Sequence, residues 1–240
     1  MKTLAGVVAG VVAMAAAMIS GGAVKAEQRA YEVPSFDTVK VTTGMSAVIA
    51  VGDAQAISAE APNTAALDRL HVVVKDGVLE LGIGDNLVGR LLTLGQQPSI
   101  LVHVSAPALK AVEASAGANV DIAGMKGDAV SLAASSGAAM VAKLGGAAAV
   151  NLDVSSGGNL KVSGACAHLI ANVSSGGNLD ARDLACEEVN ATASAGGNGV
   201  VNATGSINAH ATIGGSLEVV GKPGKVESDA GMGGSVKIAD

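Results

Sequence analysis

The sequence predicts an all-β fold, a parallel β-helix (solenoid) whose coils contain about 20 residues. Three observations support this prediction: a glycine-rich corner motif recurs at nearly constant spacing, short alternating stretches flank each corner, and aromatic residues are almost absent. Tyr31 and Phe36 are the only aromatic side chains, and the chain contains no Trp. A core filled mainly by Ala, Val and Leu must be narrow, as the lumen of a β-helix is.

The corner motif is clearest in VSSGGNL, which occurs at 154–160 and again at 173–179. Glycine reaches positive φ without penalty, and Ser and Asn bond the local backbone, so the motif suits a sharp turn. Because equivalent corners stack, we expect ladders of Ser and Asn side chains along the axis. The alternative, a phosphate-binding loop, lacks both the Lys-Ser/Thr pair and a following helical pattern. The predicted ladder comprises Ser115, Gly117, Asn119, Ser155, Gly157, Asn159, Ser174, Gly176, Asn178, Ser194, Gly196 and Asn198.

The stretches around each corner alternate strictly between apolar and polar residues. Before one corner, Val150, Leu152 and Val154 alternate with Asn151 and Asp153. This period of two indicates a strand with one buried face. Each unit therefore contains a strand, a corner, a second strand and a glycine-containing return. One unit cannot bury its apolar side alone, so we expect the units to stack.

The N-terminal residues 1–26 have the features of a secretory signal peptide. Lys2 precedes an apolar run, and small residues precede the predicted cleavage before Glu27. The apolar run is shorter than the roughly 20 residues that a membrane span requires, which makes an uncleaved anchor the weaker alternative.

Residues 27–240 are predicted to form a single β-helix domain. Within it, 27–113 are expected to form less regular coils and 114–240 the regular repeats. An Asp-Gly pair inside 71–84 predicts a hairpin or a tight corner, and 87–97 is interpreted as a loop.

The net charge of the chain limits the classes of partner that it is expected to bind. Removal of Lys2 and Lys25 leaves 13 basic residues against 21 acidic ones. A strongly acidic chain is not expected to bind nucleic acid, because affinity for the phosphate backbone depends on Lys and Arg.

Four segments together resemble a family of bacterial exported proteins, the auto-transporter adhesin head domain of the GIN type. They are Phe36–Val39, the DGVLEL segment at 76–81, Val104–Leu109 and the recurring S-x-G-[AG]-N corners, and the resemblance covers 36–240. It implies a right-handed parallel β-helix, a location in the cell envelope and an adhesin-like role. The resemblance identifies no catalytic residues in this chain.

The two cysteines, Cys166 and Cys186, are predicted to form a disulfide. They occupy the same place in adjacent coils, and stacked strands lie about 4.8 Å apart, within the separation that a disulfide accepts. An exported protein also meets an oxidising compartment. The alternative is a pair of small buried thiols.

Two outward columns of the first strand form the candidate ligand strip. Its side chains are polar and weakly acidic, and they could bind a polysaccharide; the alternative is an ordinary solvated sheet face. The candidate residues are Asp153, Asn172, Asn190, Thr192, Asn208 and His210. On the second strand's outward column, Lys161 is expected beside Asp180.

Polysaccharide cleavage is the enzymatic alternative, and it requires a base near carboxylates that hold a cation. The best cluster for such chemistry is Asp180, Arg182 and Asp183. The four histidines are scattered and match no catalytic or metal-binding spacing. We therefore predict no catalytic residues, no cofactor and no metal site.

The predicted function is that of an exported, non-enzymatic cell-envelope protein with an adhesin-like interaction surface, in the periplasm or on the cell surface. The alternatives are a polysaccharide-binding or polysaccharide-cleaving protein and a self-assembling scaffold. Glycan or protein ligands are the expected partners. We also expect 27–36 to fold over the first end of the solenoid, and an open last coil to favour a homo-oligomer.

Overall fold

The structure is a computed structural model that describes residues 26–84 and 99–239. Residues 1–25 of the predicted signal peptide and the predicted loop at 87–97 lie outside these residues. The elements are β1 Glu27–Tyr31, β2 Thr38–Val41, β3 Ser46–Val51, β4 Ala56–Ala61, α1 Thr64–Leu67, β5 Leu70–Lys75, β6 Val78–Ile83, β7 Leu101–Ala106, β8 Ala111–Ala114, β9 Asn119–Ala134, β10 Ala139–Val154, β11 Asn159–Val173, β12 Asn178–Ala193, β13 Asn198–Ala211, β14 Ser216–Val220, β15 Lys225–Ala230 and β16 Ser235–Ile238.

The predicted solenoid is confirmed. Strands β9 to β13 pair in parallel, each with the next, so that Val150 aligns with Leu169, Val189 and Ile207 in successive coils. The coils contain about 20 residues and stack for about six turns. Each long strand leaves one corner, bends through the return and enters the next corner.

Aliphatic side chains fill the lumen. The inward positions alternate with exposed ones along each arm, as the period of two predicted, and Leu152 and Leu169 are both buried. Among the described residues, no polar or charged residue is buried. The core is thus a continuous aliphatic column, and the backbone hydrogen bonds between coils satisfy the polar groups around it.

The corner column begins one coil earlier than the motif indicated. The turn at 42–45 stacks on the corner at 115–118, where the Gly44 amide donates to the Ala116 carbonyl over 2.9 Å. Two successive residues of each corner adopt positive φ, and the first of them is not glycine. Those first residues are Thr43, Ala116, Ser136, Ser156, Ser175, Ala195, Ile213 and Met232.

The N-terminal coils do not stack in chain order. The coil of β2 and β3 lies between the coil of β6 and β7 and the coil that β8 begins. The predicted turn at 71–84 is an antiparallel hairpin of β5 and β6, with positive φ at Asp76 and Gly77.

Two further antiparallel pairs close this end of the sheet. Strand β4 pairs antiparallel with β7, and β1 adds antiparallel to β4 as the edge strand. Helix α1 follows β4, and its N-cap Asn63 accepts a hydrogen bond from the Ala66 amide over 2.9 Å. The end of the solenoid that precedes the regular repeats is therefore covered by a hairpin, a helix and an antiparallel strand.

Candidate functional site

The candidate strip forms two columns on one face of the solenoid, in the arrangement that the repeat predicted. Asp153, Asn172, Thr192 and His210 are aligned in successive coils. Asn190 and Asn208 are aligned in the neighbouring column. We call these six residues the polar strip. Because side chains of one column recur at the strand spacing of about 4.8 Å, the strip presents a regular array of polar groups.

The amides of the polar strip are free of partners within the described chain. No side-chain hydrogen bond among the described residues involves Asn172, Asn190 or Asn208, and all three residues are exposed. The exception in the strip is His210, whose Nδ1 lies 3.0 Å from Asp229 Oδ2. The amides can therefore both donate to and accept from a ligand.

A shallow groove runs beside the strip. It has a volume of about 340 Å³. A second histidine–carboxylate pair flanks it, because His168 Nδ1 lies 2.9 Å from Glu188 Oε2 in the next coil. The outward side chains along the groove are His168, Ile170, Glu188, Asn190, Ser206, Asn208, Lys225 and Glu227.

A second groove of about 460 Å³ lies on the arm after the corners, and we call it the corner groove. Its charged side chains already have partners within the chain. Lys161 Nζ lies 3.8 Å from Asp180 as the sequence predicted, and Lys237 Nζ lies 3.0 Å from Glu218. This groove is larger than the one beside the polar strip, but its charged groups have partners within the chain.

The cluster weighed for lyase chemistry is an ion pair. Arg182 Nε lies 2.8 Å from Asp180 Oδ1. Burial acts to raise the pKa of Asp180, but hydrogen bonds from the side chain and backbone of Arg182 outweigh it and lower that pKa. The same contact raises the pKa of Arg182. The carboxylate thus stays ionised beside a charged guanidinium, and Asp183 adds negative charge nearby.

Of the predicted corner ladder, the described residues show one asparagine contact between coils, together with backbone bonds. Asn178 Nδ2 donates to Asn159 Oδ1 over 3.3 Å, and the Nδ2 of Asn159, Asn178 and Asn198 each reaches a corner carbonyl two residues earlier. Backbone bonds between coils join the corners, for example from the Ser155 amide to the Ala134 carbonyl over 3.0 Å. Among the described residues, the hydroxyls of the corner serines take no part in side-chain hydrogen bonds.

The disulfide is confirmed. Cys166 and Cys186 lie opposite each other on β11 and β12, with their Cα atoms 4.6 Å apart. Cys186 faces the core and is fully buried. The bond ties two coils together beside the polar strip.

Within residues 26–84 and 99–239, no group of three or more His, Cys, Asp or Glu side chains is placed to hold a metal ion. None of the helices in the described part of the chain is long and apolar enough to cross a membrane.

Fold and surface together define a class: a parallel β-solenoid whose described residues present polar outer faces. The comparison with protein families identifies the group within this class. Residues 35–223 match the family described as putative auto-transporter adhesin, head GIN domain. The chain belongs to this family, as the resemblance in its motifs predicted. A comparison with curated proteins gives no match.

Solved structures share the fold. A putative adhesin from Bacteroides fragilis superposes with a TM-score of 0.77 at 20% identity. A putative lipid binding protein from Parabacteroides distasonis gives 0.65 at 18%, and a putative adhesin from Parabacteroides merdae gives 0.64 at 16%. Each comparison covers 90% of this chain and 97% of the other. At such identities, the likeness establishes the fold alone.

Proposed function

We propose that the protein is an exported, non-enzymatic component of the cell envelope that binds extended glycans on its polar strip. The observation that carries this proposal is the free amide array. Asn190 and Asn208 are aligned in adjacent coils, and Asn172 lies in the neighbouring column one coil before Asn190; all three are exposed and have no side-chain partner within the described residues. Family membership and the Cys166–Cys186 disulfide support an envelope location.

The chemistry of the strip favours a hydroxyl-rich ligand. An amide donates and accepts at once, which matches the hydroxyl groups of a sugar. The strip contains no Lys or Arg, so an anionic ligand would gain no direct charge contact from it. A ligand with a repeating structure can meet equivalent groups on successive coils, and several weak contacts then act together.

Binding can be tested by isothermal titration with neutral and acidic polysaccharides, each with and without calcium. The triple variant Asn172→Ala, Asn190→Ala, Asn208→Ala is expected to lower affinity at least about tenfold, since each lost hydrogen bond contributes roughly 1 kcal/mol. The matched control is Asp121→Ala with Val141→Ala on the other face, which should bind normally. Equal binding by both variants would contradict the proposal.

The cellular location of the protein requires a separate test. Fractionation of the native cells is expected to place the protein in the envelope, with Cys166 and Cys186 oxidised. Recovery in the cytosol with two alkylatable thiols would contradict export. Release of new reducing ends from any polysaccharide would contradict the non-enzymatic part of the proposal and favour cleavage instead.

A further inference from the structure

Two exposed apolar side chains mark the last two corners of the solenoid. Ile213 is 58% exposed and Met232 is 83% exposed, and both have φ of 50°. The equivalent residues of the earlier corners are Thr, Ala or Ser. The left-handed region costs about 1–2 kcal/mol for a residue with a Cβ, and a β-branched residue there is an outlier. At a corner that stays exposed to solvent, Ile213 and Met232 therefore add conformational strain without burying apolar surface.

The inner face of the last coil is also exposed. Val226 and Ile238 are both 40% exposed, whereas Ile207 and Val219, which hold the equivalent positions one coil earlier, are buried. Strand β15 is exposed along its whole length. The opposite end of the solenoid differs, because the buried Ala66 and Leu67 of α1 help to cover it.

The backbone of the last coil offers free strand edges. Within the described residues, β15 pairs only with β13 and β16 pairs only with β14. Each strand thus presents unpaired amide and carbonyl groups on its outer side, which favours the addition of another strand. Apolar side chains exposed beside unpaired strand edges are typical of a surface that is covered by a partner.

The two edge strands complement each other when they run antiparallel about Met232. In that register Val226 lies opposite Ile238, so that the two apolar side chains meet. Glu227 lies opposite Lys237, so that opposite charges meet in addition to the contacts within each chain, where Glu227 lies 3.0 Å from Lys225 and Lys237 lies 3.0 Å from Glu218. In this register, residues of β15 whose side chains point toward the lumen lie opposite residues of β16 whose side chains also point toward the lumen, as the alternation of side chains along a strand requires. A twofold axis through the last corner brings β15 of one chain onto β16 of another in this register.

We propose that the last coil is a homodimer interface, in which β15 of each copy pairs antiparallel with β16 of the partner. The two Met232 side chains then meet at the axis and, with Ile213, extend one apolar column through both corners. The charges of the last two coils suit this contact, because Lys222, Lys225 and Lys237 offset three of the four acidic side chains in 212–240, whereas the chain as a whole carries a net charge of −6. The dimer does not depend on the glycan proposal.

The dimer can be tested by sedimentation equilibrium over a range of concentrations, with protein purified from its native cells. Charge reversal tests the register: Glu227→Lys and Lys237→Glu are each expected to raise the dissociation constant at least about tenfold, since like charges then oppose each other at two symmetric places. The combined variant is expected to restore dimerisation. Asp121→Lys, far from the last coil, is the control.

Two further variants test dimerisation with substitutions that are expected to keep the fold. Ile213→Asn with Met232→Asn places a residue that tolerates positive φ at both corners, so the fold should be kept while dimerisation weakens. Val226→Cys with Ile238→Cys should give an intermolecular disulfide on a non-reducing gel. A monomeric mass at every concentration, a combined charge variant that stays monomeric, or growth into filaments by contact with the opposite end would overturn the proposal.

Discussion

At the scale of single residues, the glycines of one corner serve two different purposes. Gly176 has φ of 71° and open space around it, so its role is conformational. The next residue, Gly177, has no positive φ, but a Cβ there would lie 2.7 Å from the Val154 carbonyl oxygen of the coil below. Its role is to let two backbones approach closely.

The corner glycines give a matched pair of substitutions. Gly177→Ala is expected to lower the free energy of unfolding by about 2–3 kcal/mol, because the added methyl forces the coils apart. Gly176→Ala should cost about 1 kcal/mol through its φ alone. Urea denaturation measures both. Equal losses would show that close approach is not what Gly177 provides.

Two aspartates make stability depend on pH. The hydrogen bond from Lys110 Nζ, 2.6 Å away, lowers the pKa of Asp37, and contacts with Arg182 lower that of Asp180. A lowered carboxyl pKa in the folded state stabilises the protein above the unfolded value of about 4, and this contribution is lost as pH falls through the folded pKa. The effect is small because these pairs are exposed.

Paired aspartate variants test this linkage. Asp37→Asn and Asp180→Asn should unfold at lower urea than the parent at pH 7, and the difference should shrink as the pH falls through the lowered pKa values, because the parent carboxyls then become protonated too. A difference that persists unchanged in acid would assign the effect to something other than ionisation.

At the scale of elements, the disulfide joins β11 and β12 in the middle of the regular stack. It closes a loop with a sequence separation of 20 residues. A loop of this size restricts the unfolded chain and stabilises the fold by about 3 kcal/mol. Since Cys186 is fully buried, alanine is the replacement that avoids burying an unpaired hydroxyl.

Cys166→Ala with Cys186→Ala is expected to lower the free energy of unfolding by about 3 kcal/mol, with the circular dichroism spectrum unchanged. Reduction of the parent protein should give a similar loss. A loss after reduction but none in the alanine variant would assign the effect to the thiols rather than to the cross-link.

At the scale of the whole molecule, each coil is stabilised by its neighbours. Stability in such an array is approximately a sum of coil and interface contributions, so the coils at an uncovered end open first. The described structure covers one end with β1, β5 and α1, and leaves β15 and β16 exposed.

Hydrogen exchange should reveal this gradient. Amides of β15 and β16 are expected to exchange faster than those of β11 and β12 in dilute solution. If the proposed dimer forms, their protection should increase with concentration, whereas that of β11 and β12 should not. Uniform protection of the amides along the chain would contradict the expectation that the coils at the uncovered end open first.

The regular half of the fold could be predicted from the sequence because two periods determine it. Alternation decides which side chains face the lumen, and the recurrence of about 20 residues decides which lie side by side in neighbouring coils. The disulfide, the Lys161–Asp180 contact and the columns of the polar strip all follow from these two periods. Each was predicted by residue number and lies where it was expected.

Only the tertiary structure decided the arrangement that lies outside the repeat. The placement of β2 and β3 between later strands, and the antiparallel pairing of β1 and β4, depend on long-range contacts that no sequence period specifies. Beside the predicted Lys161–Asp180 pair, only the side-chain distances show that Lys237 contacts Glu218, and that the amides of the polar strip have no side-chain partner among the described residues.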